Sequence, residues 1–145
     1  MAVMAVMNAR DAAADDGLTR STRFARVVFT IAGIWGVLIM TPLYFTLDAI
    51  GRAYPPPITH PDLYYGFIGV TLAWQIAFLV IATNPVRYRA IMLAGILEKG
   101  LYVATMIALS LQGQLQPGPA AVVIVPDGVL GLLFVAAFFK TPAFP

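Results

Sequence analysis

Residues 60–103 read HPDLYYGFIGVTLAWQIAFLVIATNPVRYRAIMLAGILEKGLYV, and this stretch decides the fold. Its first apolar run, Leu63 to Thr83, carries no charge. A helix needs about 20 apolar residues to cross the hydrocarbon core of a bilayer. Asn84-Pro85-Val86-Arg87-Tyr88-Arg89 then interrupts the run with turn residues and two arginines. A second run, Ala90 to Leu111, follows at once and is broken only by Glu98-Lys99. Two membrane-length segments joined by a short basic turn form a helical hairpin in lipid, where each helix satisfies its own backbone.

The same reading extends in both directions. Upstream, DAIGRAYPPPITHPD (48–62) is proline-rich and extended or turned. Before it lies an uncharged run, Val27 to Leu47, in which Thr41-Pro42 is expected to kink or end the helix. This run is longer than the apolar core of a usual signal peptide, and no small-x-small site follows it, so an uncleaved first span is expected. Residues 1–22 lack a sustained apolar period and read as a mobile cytoplasmic tail. Downstream, Pro117-Gly118-Pro119 ends a breaker segment, and a fourth span runs from Ala120 to Phe139 with Pro126-Asp127 inside it. The organisation expected is therefore a tail over 1–22 and one four-helix membrane domain over 23–145, with spans near 27–47, 63–83, 90–111 and 120–139.

Composition agrees. The chain has 145 residues, of which 60% are apolar and 11% charged. Soluble domains carry about 25% charged residues, and so few charges cannot cover this much apolar surface in water. Arg10, Arg20, Arg23, Arg26, Arg87, Arg89 and Lys140 fall on one side of the four spans, and only Arg52 on the other. Positive residues stay inside, so both termini are expected in the cytoplasm of a bacterial cell, with the protein multi-pass in the inner membrane. The fold class expected is all-α, an integral membrane four-helix bundle with N-in/C-in topology.

The residue counts exclude much chemistry. There is no cysteine and one histidine, His60, so thiolate sites and multi-histidine metal sites are impossible within one chain. The two serines lack a Gly-x-Ser-x-Gly context, and no phosphate-binding glycine loop occurs. No cofactor, metal or nucleic acid is expected; membrane lipids are, together with a homo-oligomeric or membrane-protein partner. His60, in the proline-rich loop, reads as a turn element.

Chemistry is confined to charges inside spans, which lipid makes costly. At about 1.5 Å per residue, Glu98 and Gln75 each lie roughly 12 Å from one end of their spans and Asp127 roughly 18 Å, within reach of Lys99. Glu98 shares a helix face with Ala94, Gly95, Tyr102 and Thr105, a small and polar stripe suited to a bundle interior. Lys99 projects about 100° away. The expected pairs are Lys99–Asp127 and Glu98 with Gln75 or Tyr102. Such pairs either fix helix register or form a proton, ion or ligand site. Gly69, Ala73 and Ala77, and Gly100, Ala104 and Ala108, are spaced for close helix packing or a homodimer face.

The stretch quoted above, together with PDGVLGLLFVAAFFKT (126–141), resembles a group of small bacterial four-span membrane proteins. Shared features are the Asn/Asp-Pro-x-Arg-Tyr-Arg turn, the Glu-Lys of span three and the Asp of span four. In topology the chain is also similar to DoxX-like four-helix proteins. The resemblance implies the architecture and carries no catalytic residue over. The function expected is a non-enzymatic membrane component or binder of a lipid-like ligand. Two alternatives are a small proton- or cation-coupled transporter using Glu98, and a membrane enzyme acting on an apolar substrate with Glu98 and Asp127 as acid and base.

Overall fold

The computed structural model describes residues 2–115 and 117–143. Among them the chain is helical, with no strand. Helix α1 spans Ala2–Met40, α2 Leu47–Ala53, α3 Pro61–Thr83, α4 Arg89–Leu111 and α5 Pro117–Lys140. Four segments are long and apolar enough to cross a membrane: Thr22–Phe45, Pro61–Thr83, Arg89–Leu111 and Ala121–Lys140. They match the four spans read from sequence within a few residues. The backbone of the 1–22 segment continues α1 as helix back to Ala2, while the side chains of its first 18 residues, Arg10 included, lie outside the described residues.

Proline punctuates the first span as expected. Helix α1 ends at Met40, and Thr41–Phe45 tightens into a 3-10 turn with Pro42 at its start. A proline at the first helical positions loses no hydrogen bond, because those N–H groups have no partner inside the helix. The Tyr64 hydroxyl donates to the Leu43 carbonyl at 2.9 Å and fastens this turn to the start of α3. Tyr44 stacks on Tyr65 beside it, centroids 5.9 Å apart.

The bundle is two helix pairs. Helix α1 packs chiefly on α3, and α4 on α5; α1 and α5 join the pairs, whereas the consecutive helices α3 and α4 touch less. Gly33 lets α1 approach α3, since a Cβ there would lie 2.7 Å from the Leu79 side chain and 2.9 Å from the Gln75 carbonyl oxygen. The pairs meet most tightly towards the Asn84–Arg89 turn. There Phe29, Phe78 and Phe134, all fully buried, pack with Met92, Ile81, Ala25 and Ala137. Phe29 stacks on Phe134 at 4.3 Å, and Phe78 meets Phe134 edge-on at 4.9 Å.

The basic end is tied by side chains as well. The Arg89 Nε–H donates to the Phe138 carbonyl at 3.2 Å and the Thr141 carbonyl at 2.8 Å, satisfying acceptors at the end of α5. Its guanidinium lies 3.9 Å from the Phe138 ring centroid. Lys140 Nζ lies 4.5 Å from the Phe24 ring, joining α5 to α1. Sequence alone reads these cations as topology markers; the structure also makes them ties between helices.

Candidate functional site

One turn beyond the aromatic packing, the helix pairs separate around a cavity of about 190 Å³. Its apolar wall includes Trp35 and Ile39 from α1, Phe67 from α3, and Val122, Val123 and Leu130 from α5. Gln75, Glu98, Lys99, Tyr102 and Asp127, the five polar residues singled out from sequence, all line it. The cavity lies towards the proline-rich loop, on the side of the cluster away from the basic turn. Its wall residues Trp35, Phe67 and Val122 are 52%, 46% and 72% exposed in the isolated chain.

Lys99 is the centre of the cluster. Its Nζ lies 2.9 Å from Asp127 Oδ1 and 3.4 Å from Glu98 Oε2, with the lysine side chain 6% exposed. The expected Lys99–Asp127 pair is present. The expected separation of Lys99 from Glu98 is not, and neither Gln75 nor Tyr102 hydrogen-bonds to Glu98 among the described residues. The 100° angle between neighbouring helix positions describes Cβ directions, and a four-carbon stem is long enough to bring its ammonium back past a neighbour's carboxylate. Gly131 opposite supplies the space, since a Cβ there would meet the Lys99 Cβ at 3.4 Å.

The inward face of α4 is therefore centred on Lys99. Met92, Gly95 and Lys99 are its buried residues, while Ala94 and Thr105, placed inward with Glu98 by the sequence reading, are exposed. Glu98 sits at the edge of the inward face. Its 3.4 Å contact with Lys99 lacks hydrogen-bond geometry, so the buried Oε2 atom has no hydrogen-bond donor. An ionised oxygen without a donor is costly away from water.

Gln75 is 2% exposed and donates through Nε2 to the Thr71 carbonyl one turn back at 3.2 Å. Its amide sits over Gly36, where any Cβ would collide with it. The cradle for this glutamine is thus a missing side chain on α1, a relation between helices that sequence spacing does not carry. Tyr102 stacks on Phe67, centroids 6.3 Å apart, and forms a further part of the wall.

Pro126 adds a backbone group. It lies inside α5 and has no N–H to offer the carbonyl of Val122 one turn earlier. Both residues line the cavity. The helix continues through the proline, so the acceptor left without its helical donor is carried on an ordered wall.

Of the small-residue stripes, Gly69 and Ala77 are half-buried and a Cβ at Gly69 would meet the Tyr44 hydroxyl at 3.4 Å, whereas the α4 stripe takes no part in this packing. Gly100, Ala104 and Ala108 are all exposed, and nothing lies within 4 Å of the position a Cβ would take at Gly100. His60 is exposed at the start of α3. Among the described residues no group of three or more His, Asp or Glu is placed to hold a metal ion.

The arrangement can hold a small apolar body against aromatic and branched side chains while presenting acceptors to its polar end. No protein-family model, curated protein or solved structure matches the chain.

Proposed function

We propose that the protein is a non-enzymatic binder of a small amphipathic, lipid-like molecule within the membrane. The observation that carries this reading is the convergence of five intramembrane polar residues from three helices on one apolar-walled cavity. Ligand sites are mostly apolar with a few placed polar groups, and a cavity of roughly 150 Å³ already admits an aromatic ring.

The packing below the cavity supports binding over transport. Transport through Glu98 requires access from both sides, and Phe29, Phe78 and Phe134 fill the bundle towards the basic turn without exposure. Catalysis by Glu98 and Asp127 requires both carboxyls free as acid and base, and Asp127 is instead held by the Lys99 ammonium at 2.9 Å. The resemblance to bacterial four-span proteins, and the gathering of cations at one end, support an inner-membrane placement with that end in the cytoplasm.

The test is binding of 4-phenylbutanol to the purified protein in nanodiscs, read from Trp35 emission, with Trp74→Phe as background. Saturable binding that weakens at least about tenfold in Val123→Phe, which narrows the wall, is the expected result. Signal that rises linearly with added probe and ignores the substitution means partition into lipid, and ends this reading.

A further inference from the structure

The charge balance of the cavity selects among amphipathic ligands. Two carboxylates, Glu98 and Asp127, share a single ammonium, Lys99. The 2.9 Å contact gives that ammonium to Asp127, and the 3.4 Å contact leaves Glu98 Oε2 without a hydrogen-bond donor. One negative charge is thus left over in the ionised cluster.

A backbone acceptor and three ring faces point the same way. The Val122 carbonyl lacks its helical donor because of Pro126. Trp35, Phe67 and Tyr102 supply π faces around the same space, and such faces attract cations more strongly where water is absent. The one cation in the wall is already engaged by two carboxylates, so an anionic head would meet two like charges and an occupied ammonium. The cavity size, about 190 Å³, fits a ring with a short chain.

We infer that the preferred ligand is a protonated apolar amine whose ammonium stands beside Glu98 and completes a neutral two-cation, two-carboxylate cluster. This rests on the proposal that the cavity binds an amphipathic molecule, and it adds the sign of the head group. Binding forms no covalent bond: the ammonium stands against the Glu98 side chain, which is 18% exposed although its Oε2 is buried, and the apolar body takes the place of lipid or water along Val122, Val123 and Leu130.

Three probes with one body separate the possibilities: 4-phenylbutylamine, 4-phenylbutanol and 4-phenylbutyrate, titrated at pH 7 in neutral-lipid nanodiscs. The amine is expected to bind about tenfold more tightly than the alcohol, and the carboxylate most weakly. Glu98→Gln keeps the shape and removes the surplus charge, so the ratio of amine to alcohol affinity is expected to fall from about ten to about one. Asp127→Asn, which frees Lys99 for Glu98, is expected to do the same and guards against a folding defect in either variant alone. Equal binding of amine and alcohol to the parent protein, or an advantage that survives both substitutions, overturns the inference and leaves the binding proposal intact. Failure of all three probes to bind overturns both.

Discussion

The two halves of the bundle use aromatic residues in opposite ways. Towards the basic turn, Phe29, Phe78 and Phe134 are fully buried and touch one another, with centroids 4.3 to 5.9 Å apart. A turn or two further, Trp35, Phe67 and Tyr102 stand around a cavity with their rings partly open. The first half is closely packed, and close packing favours a single arrangement of helices. The second keeps space, and the charges lie at the boundary. Lys99 touches both regions: its ammonium meets two carboxylates and also lies 5.7 Å from the Phe78 ring. The lesson is that one half supplies the rigidity on which the other holds an expensive polar group in place.

The largest effect is expected where packing is densest. Phe78→Ala removes the ring shared by Phe29, Phe134 and Trp74. It is expected to cost about 3–5 kcal/mol in unfolding titrations in mixed micelles. An equal loss from Val123→Ala on the cavity wall would break the contrast. Next comes Lys99→Met, which leaves two carboxylates facing each other without their cation. Removing one partner of a buried ion pair costs about 3–5 kcal/mol in water-soluble proteins, and the lower end is expected here because both carboxylates border the cavity. The same titration checks it, and unchanged stability means the cluster is not a structural support. Thr141→Val is expected to be the smallest. The Thr141 side chain is buried at the end of α5 with its hydroxyl unpartnered, so an isosteric methyl is expected to leave stability unchanged or slightly raised, within about 0.5 kcal/mol. A clear loss would show that the hydroxyl makes a bond in solution.

The contrast also explains what could be read from the sequence. The spans were legible because long apolar runs, charge-free in Val27–Leu47 and Leu63–Thr83 and nearly so in the other two, admit one solvent. The polar layer was legible because ionisable residues in such runs stand out, and depth along a helix follows from residue count alone. Rotation about each helix was less so. Ala94 and Thr105 are small enough to fit either surface, so the α4 stripe through Glu98 looked inward when the true inward line passes through Lys99. The seat of Gln75 on Gly36 and the hold of Arg89 on the end of α5 are pairings between residues far apart in the sequence. A single sequence contains both partners of each and no sign that they belong together.

The Arg89 clamp bears on how the protein is made. It joins the first residue of α4 to carbonyls at Phe138 and Thr141, so it can close only after the ribosome has released the whole of α5. The α1–α3 pairing needs nothing beyond Thr83 and is available much earlier during insertion. The cavity is walled by both pairs, and it comes into existence with the last helix. A nascent chain whose α5 has not yet entered the membrane holds three spans there, a finished half and an unfinished one, with Glu98 and Lys99 still waiting for Asp127 to be locked beside them.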